Sequence, residues 1–389
     1  MRPKGCLSAF AIFALAWSST AGAQEYPASP VTDAGADPGV YMQGPYVQEE
    51  MPGLTAGPDY IVRDRMKGAQ PSAPGWLYTR IEAIAFRREH QDRVFLGEQD
   101  NITTGQVVDV LTTKDPNFDW EPGIRATVGV QLSDCKSIEL SYFTLQDWKA
   151  SSFFPNADLA TNALFSPFLS IGSFADAFQF SYTSELHNVE LNLQRQIGLP
   201  YDWGASILGG VRYINLNEHF TLSGSESVFG TLEATSAATH NNLIGLQLGG
   251  ELVRSIGQKL SIGFQGRAGI YANIDSEHTS NALAGATGTL TRLDTHDSDV
   301  GVSTTVEVGL AVRYHLRPNI VIGAGYQVFF LNGVALAPNQ LTSTNFDIFS
   351  NTITPGRTGR PINDNNNIFF HGPSVGIEIT WGGGKREQM

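Results

Sequence analysis

The chain contains little cysteine, little charge and no long apolar run. Its two cysteines, Cys6 and Cys135, exclude a disulfide framework. No stretch approaches the ~20 apolar residues that cross a bilayer as a helix. Charged residues make up 16%, below the usual ~25%. The net charge of −13 argues against a nucleic-acid-binding protein, which would show a basic stripe. None of the eight histidines has the spacing of a zinc site, so neither a metal nor a cofactor is expected.

The N-terminus has the three parts of an export signal. Basic residues Arg2 and Lys4 precede a short apolar stretch, Leu7–Trp17, and Ala21-Gly22-Ala23 follows as a cleavage site. Residues 24–75 are rich in Pro, Gly, Ala and Asp, which predicts a flexible periplasmic leader or, alternatively, a partner-binding arm or partial plug. The predicted domains are a signal peptide (1–23), this leader (24–75), a β-barrel (76–381) and a polar C-terminal tail (382–389).

Segments of alternating apolar and polar residues fill the chain from Trp76 to Trp381, and the links between them are alternately short and long. An outer-membrane barrel has tight turns at its periplasmic end and long loops at the other. The pattern therefore predicts an all-β, transmembrane, antiparallel up-and-down β-barrel of about ten strands (roughly eight to twelve) in the outer membrane of a bacterial cell. The short links are Ser133–Lys136, Gln196–Pro200, Ser255–Lys259 and Leu316–Asn319, and the long ones are Arg87–Asp119, Lys149–Ala175, Asn215–Asn241, Asp275–Val300 and Asn332–Asn367.

The clearest strand is Pro122–Leu132, in which Ile124 and Val128 lie on one face and Arg125 and Thr127 on the other. Segment 175–194 reads as one long strand with a phase slip near residue 187, which predicts a β-bulge. Aromatic residues at the strand ends predict two girdles around an apolar band. The girdle residues are Trp76, Tyr78, Trp203, Tyr314 and Trp381 beside the termini and short turns, and Phe86, Trp120, Trp148, Phe178, Phe330 and Phe370 beside the long links.

The polar face of almost every predicted strand carries a charge of either sign near mid-height. In a closed wall these charges point inward and pair across the lumen, because an unpartnered buried charge is very costly. Such a network either simply fills the barrel or forms a constriction that selects small solutes. Its members are Arg80, Glu82, Arg125, Glu139, Glu190, Arg212, Glu251, Arg267, Glu307, Arg313 and Glu378.

Two sets of residues carry a family resemblance. The first comprises Asp119–Arg125, Asp134-Cys135, Glu139–Phe143 and Gln146–Trp148, and the second comprises His371–Pro373, Val375–Glu378 and Trp381. They resemble a family of β-barrel porins found widely in planctomycete outer membranes. The resemblance covers 76–381; it implies an outer-membrane location and a pore, and it supplies no catalytic residue.

No enzyme motif is present. Glu218-His219 adjoins a predicted long loop without a partner motif, so a non-enzymatic protein is expected. We expect a barrel that gives narrow passive passage to small solutes. The alternative is a non-conducting structural or surface-binding barrel that acts through its long extracellular loops. The expected partners are outer-membrane lipid, the barrel-assembly machinery and small solutes, and no nucleic acid.

Overall fold

The computed structural model describes residues 76–89, 93–114, 118–133, 135–171, 175–228, 230–285, 290–342, 344–347, 352–355 and 361–381. The predicted signal peptide, leader and C-terminal tail lie outside the described residues. Among the described residues, no helix is long and apolar enough to cross a membrane.

Ten antiparallel strands form a closed barrel, which confirms the predicted fold. Each strand pairs with its neighbour along the barrel, and the first strand closes the ring by pairing with the last, from Leu77↔Trp381 to Arg88↔Phe370. Closure pairs every strand edge, as a lipid-exposed sheet requires. The barrel strands are β1 (Leu77–Arg88), β4 (Glu121–Ser133), β5 (Lys136–Pro155), β7 (Ala177–Gly198), β8 (Trp203–Glu226), β9 (Thr231–Ile256), β10 (Leu260–Ala284), β11 (Leu290–Arg317), β12 (Ile320–Val334) and β15 (Asn366–Trp381).

The four predicted short links are confirmed as tight turns at one end of the barrel, here called the turn end. The opposite end, here called the loop end, differs from the prediction. Asn215–Asn241 and Asp275–Val300 are not loops, because β8 and β9 continue to Glu226 and Thr231, and β10 and β11 to Ala284 and Leu290. These strands keep pairing beyond the apolar band, so the hairpins project from the membrane.

Short elements occupy the other connections at the loop end. Strands β2 (Phe95–Asn101), β3 (Gln106–Thr112) and β6 (Asn162–Phe165) form a three-stranded sheet with β2 in the centre. Strands β13 (Thr344–Asp347) and β14 (Thr352–Pro355) pair with each other. One turn of 3₁₀ helix, Ala337–Gln340, follows β12.

The prediction of a β-bulge near His187 on β7 is wrong in its position. Strand β7 alternates without interruption from Phe178 to Asn192. The irregularity lies on the partner strand, where β5 shifts register between Leu145 and Trp148. The apparent phase slip has another cause: the inward face of β7 changes from apolar residues such as Phe180 to polar ones such as Glu190.

Apolar side chains cover the outer face of the barrel. On β10 the outward residues run from Ile262 through Phe264 and Ile270 to Ile274, and all four are exposed. At ~3.3 Å per residue and a strand tilt of ~40°, this stretch rises roughly 30 Å, the thickness of a bilayer hydrocarbon core. On β9, Leu246 and Leu248 are 64% and 72% exposed, as expected of side chains that contact lipid. We call this surface the lipid band.

The two predicted aromatic girdles need correction. At the turn end Trp76, Tyr314 and Trp381 are exposed, but Tyr78 is buried and faces the lumen. At the loop end Trp120 is exposed, and the outward tyrosines Tyr142, Tyr213 and Tyr326 mark the edge of the lipid band. Phe86, Trp148, Phe178 and Phe370 are instead at most 1% exposed and belong to an interior core.

Candidate functional site in the barrel lumen

The eleven charged residues singled out from the sequence occupy inward positions on nine strands, because each lies on the face of its strand opposite the lipid band. Arg80 and Glu378 form an ion pair at 2.7 Å on the adjacent strands β1 and β15. Arg313 pairs with Glu251 across β10. None of the described ion pairs includes Glu139, which instead accepts a hydrogen bond from the hydroxyl of Tyr78.

Arg125, near mid-height in the lumen, contacts residues on three other strands. Its Nη1 lies 3.7 Å from Glu82 Oε2 on the neighbouring strand. Its Nη2 donates to Gln327 Oε1 at 2.8 Å, which joins β4 to β12. The guanidinium also lies 5.0 Å from the ring of Phe143. Arg125 therefore bridges the polar network to the first aromatic ring above it.

Arg212 is the centre of the network, and its side chain is fully buried. It lies 3.6 Å from Glu190 and 3.2 Å from Glu307, the latter on the far strand β11. Arg267 donates to Glu190 at 2.9 Å. Two positive and two negative side chains thus neutralise one another within the lumen, as the low local dielectric demands. Amide side chains add further hydrogen bonds: Asn188 to Arg212 and Glu190, Asn192 to Glu190, and Gln247 to Arg212, Glu190 and Asn192.

Two cavities lie among these charges, toward the turn end. Each holds about 60 Å³, enough for a few water molecules. One is lined by Glu139, Arg267 and Arg313, and the other by Arg80, Arg125 and Gln327. Charged walls around water-sized space make the turn-end half of the lumen a narrow, polar interior with room for water.

An apolar core fills the loop-end half of the barrel, and the sequence reading missed it. Its side chains occupy the same inward faces that carry charges lower down: Ile84 and Phe86 follow Glu82 on β1, and Leu216 and Phe220 follow Arg212 on β8. The signal was present, since outward residues turn polar where inward residues turn apolar. The other large members include Phe143, Leu145, Trp148, Phe178, Phe180, Tyr182, Leu186, Leu222, Phe329, Leu331, Ile368 and Phe370.

At the end of β12 the chain turns into this core; we call residues 333–341 the lumen segment. Gly333 starts it with φ of 81°, and a Cβ there would lie 2.5 Å from Val302 O, so glycine permits the inward turn. Val334, Leu336 and Leu341 are at most 3% exposed. The segment contacts β8, β9 and β10, which lie two to four strands away from its starting strand around the barrel.

Side chains of the wall hold the lumen segment through its backbone. Asn241 on β9 both donates to Ala335 O and accepts from Ala335 N, each at 2.8 Å. Asn273 on β10 donates to Gly333 O at 3.3 Å. Glu218 on β8 accepts from Ala337 N at 3.0 Å. These contacts satisfy buried backbone groups that no strand pairs.

A buried ion pair joins the lumen segment to the opposite wall. Arg88 on β1 and Glu218 on β8 lie 2.7 Å apart, with side chains 1% and 0% exposed. The hydroxyl of Tyr182 donates to Glu218 at 2.7 Å, and the guanidinium lies 4.9 Å from the ring of Phe118. Glu218 thus points inward, whereas its neighbour His219 points outward, so the two form no dyad.

The small sheet β3-β2-β6 closes the mouth above the core. Leu96, Leu111 and Leu164 each contribute a buried side chain to that core. Gly97 permits close packing, since a Cβ there would lie 2.9 Å from the ring of Phe178. Glu233 fixes the next loop by accepting hydrogen bonds from the backbone N–H groups of Ser170 and Ile171 at 2.6 and 2.9 Å.

At this mouth, burial shifts the pKa of one carboxyl group, that of Glu226. Glu226 ends β8 well outside the lipid band and is 6% exposed. Burial first, and then the nearby Asp176 carboxylate, raises the pKa of Glu226. In the part of the chain that is described, no group of three or more His, Cys, Asp or Glu side chains is placed to hold a metal ion.

Comparison with known structures returns outer-membrane barrels of low similarity. The outer-membrane protease OmpT from Escherichia coli matches at 10% identity and a TM-score of 0.40, covering 78% of this chain and 96% of that one. The translocator domain of the autotransporter NalP from Neisseria meningitidis matches at 11% and 0.31, covering 83% and 95%. A major outer membrane protein from Thermus thermophilus matches at 10% and 0.27, covering 78% and 99%.

Comparison with curated proteins finds no match. Comparison with family models does find one, the Legionella pneumophila major outer membrane protein precursor, over residues 71–383. The match spans the whole barrel and more than half of the chain. It confirms the outer-membrane β-barrel class inferred from the sequence. The chain is an outer-membrane β-barrel protein and belongs to the family of the Legionella pneumophila major outer membrane protein.

Proposed function

We propose that this protein is a narrow porin whose lumen segment holds it closed at rest. The observation that carries the proposal is the division of the lumen into two halves. The turn-end half is lined by charges and has room for water, whereas the loop-end half is blocked by the lumen segment and the apolar core. We place the loop end outside the cell, as long loops are in bacterial barrels.

The polar half has the character of a passage. Small barrels built only for stability fill their interiors with side chains. Here charged groups of both signs surround two water-sized cavities, and Arg80, Glu82 and Arg125 line the second of them. A small hydrophilic solute would meet hydrogen-bond partners along this path. The resemblance of residues 119–148 to planctomycete porins supports the same proposal.

The blocking segment is suited to move. Beyond Val334, whose register partner is Asn366 on β15, it is attached to the wall by side-chain contacts, chiefly those of Asn241 and Glu218. Water can replace such hydrogen bonds, whereas strand pairing in the bilayer has no substitute. Withdrawal of the segment would remove the part of the blockage that is not the barrel wall, and displacement of the small sheet at the mouth would then join the polar half to the outer face.

Planar-bilayer recordings test the proposal. The wild-type protein should be mostly silent, with rare small openings. Asn241→Ala removes both hydrogen bonds to Ala335 and should raise the open fraction about tenfold, the effect of a ~1.4 kcal/mol shift and within the worth of two hydrogen bonds. The matched control, Asn215→Ala, alters an outward asparagine on β8 and should behave as the wild type.

A non-conducting structural or surface-binding barrel is the second candidate, and a specific observation favours it. Strands β8–β11 project beyond the lipid band as two long hairpins, which offer a large polar surface outside the membrane. Silence of both the wild type and Asn241→Ala, together with silence after removal of the lumen segment, would select this candidate. A non-enzymatic role is part of both proposals.

A further inference from the structure

Histidines gather on the outer surface of the projecting strands. Of the seven histidines that the structure describes, six point outward, and His315 alone points into the lumen. Five of the six lie on adjacent strands, β7 to β11. We call this surface the histidine face. It comprises His187, His219, His240, His278 and His296.

Strand register places these five side chains together. His219 pairs with Ala238, Ala238 with His278, and His278 with His296, which forms one row across four strands. The rings of His278 and His296 lie 6.4 Å apart. His240 lies two residues from this row, opposite Asn217. His187 lies two residues lower again, opposite Asn215 on the neighbouring strand.

The histidine face begins where the lipid band ends. His278 lies four residues beyond Ile274 on β10, and His296 lies four residues before Val300 on β11, so both are on the loop-end side of these exposed apolar residues. His187 is hydrogen-bonded at 3.0 Å to Tyr142, one of the tyrosines at the edge of the band. At this depth the side chains meet the head groups of the outer leaflet rather than lipid tails or bulk water.

Charge on the histidine face differs from that of the whole chain, which has 38 acidic and 25 basic residues. Among its described side chains, the acidic ones are Glu185 and Asp294 and the basic ones are Lys149 and Arg292. Asp294 pairs with Arg292 at 2.9 Å and lies 3.8 Å from His278. The remaining carboxylates of this hairpin, Glu277, Asp297 and Asp299, belong to its other face. Protonated imidazoles would therefore give this face a net positive charge.

His187, His219 and His240 each use one ring nitrogen for a hydrogen bond within the protein, which leaves the other for a ligand. His240 Nδ1 donates to Asn217 Oδ1 at 2.9 Å, and His219 Nε2 contacts the hydroxyl of Thr221 at 3.2 Å. The second nitrogen becomes an N–H donor on protonation. Imidazoles change charge between pH 5 and 8, unlike other side chains.

We propose that the histidine face binds the phosphate groups of anionic outer-leaflet lipids when its imidazoles are protonated. Cationic side chains at a membrane surface attract such lipids, and five of them act together. The barrel is thereby held more firmly by its lipid shell in acidic surroundings. This inference does not depend on whether the lumen conducts.

Lipid selectivity at the barrel surface tests the proposal. The full chain is reconstituted in phosphatidylcholine vesicles with spin-labelled phosphatidylglycerol or spin-labelled phosphatidylcholine, and the fraction of immobilised label is measured at pH 7.5 and 5.5. In the wild type the relative association of phosphatidylglycerol should rise about threefold or more at pH 5.5. A variant with all five histidines changed to Gln should show no rise, whereas His315→Gln should match the wild type.

Three results would overturn the proposal. They are a wild-type preference that does not change with pH, a five-histidine variant that keeps the rise, and loss of the rise when millimolar inorganic phosphate is added. The last would show that free phosphate, not lipid, is the ligand. Because these exposed histidines lie outside the core, the Gln variant should refold, and its heat-modified mobility on gels verifies this before measurement.

Discussion

Breaking the buried pair Arg88–Glu218 should destabilise the barrel more than breaking any surface pair. Arg88→Met keeps the length of the side chain but leaves the Glu218 carboxylate in an apolar core without its cation. The two atoms lie 2.7 Å apart, with 1% and 0% exposure. Loss of one member of such a pair costs ~3–5 kcal/mol, and we expect a decrease of about that size in the free energy of unfolding.

The assay is urea unfolding of the refolded barrel in lipid vesicles, followed by tryptophan fluorescence. The control is Arg93→Met, which breaks the exposed pair Arg93–Asp109 and should cost under ~1 kcal/mol. The double variant Arg88→Met/Glu218→Gln should be less destabilised than the sum of its single variants by ~1–3 kcal/mol, because it leaves no lone charge. Equal costs for Arg88→Met and Arg93→Met would refute the assignment of a buried pair.

Three further predictions concern the wall, the orientation and the loop-end mouth. Val128→Arg puts a charge on the exposed lipid face and should lower the free energy of unfolding by ~2–4 kcal/mol near the midplane. Thr127→Arg should instead disrupt the buried contact with Ser141. If neither variant changed folding into a bilayer, the assigned faces would be contradicted. In a Cys135→Ser background, Ser227→Cys at the loop end should react with a membrane-impermeant maleimide on intact cells and Gln258→Cys at the turn end should not, so labelling of both would reject the orientation. Because the pKa of Glu226 is raised in the folded protein, this side chain contributes stability that is fully present below its unfolded pKa of ~4.3 and is lost as the pH rises through its folded pKa. Glu226→Gln should therefore raise the midpoint of unfolding at pH 7 and leave it unchanged at pH 4. The same gain at both pH values would count against this cause.

The strands inside the bilayer could be predicted because lipid on one side and water or charge on the other impose a period of two. Ile124, Val128, Arg125 and Thr127 show this directly, and the pattern predicts ten strands and the inward charges. Pairing of Arg80 with Glu378 could not be predicted as a particular partnership, since 298 residues separate them and only barrel closure brings them together.

The projecting hairpins were misread for a physical reason. Outside the bilayer the outward face meets water, so the apolar residues move to the inward face, as Leu216 and Phe220 do on β8. If apolar residues are expected on the outward face along the whole strand, this exchange of faces looks like the end of the strand followed by a loop. The period itself continues, and tracking it separately from the choice of apolar face would have extended β7 to β11.

The lumen segment gave no comparable signal. Val334–Leu341 is short, apolar and interrupted by Pro338, which reads equally as a loop or a turn. Its position depends on Asn241, Asn273 and Glu218 on three other strands. Such contacts depend on tertiary structure alone, and one sequence carries no trace of them.

The most direct test of the closed porin is the conductance of a variant in which 334–341, the lumen segment after Gly333, is replaced by a Gly/Ser linker of the same length. The account predicts that the wild type stays mostly silent in a planar bilayer while the variant shows sustained openings, smaller than those of a large water-filled porin because the charged half still narrows the path. Sustained conductance in the wild type, or silence in a variant shown to be folded and inserted, would contradict it.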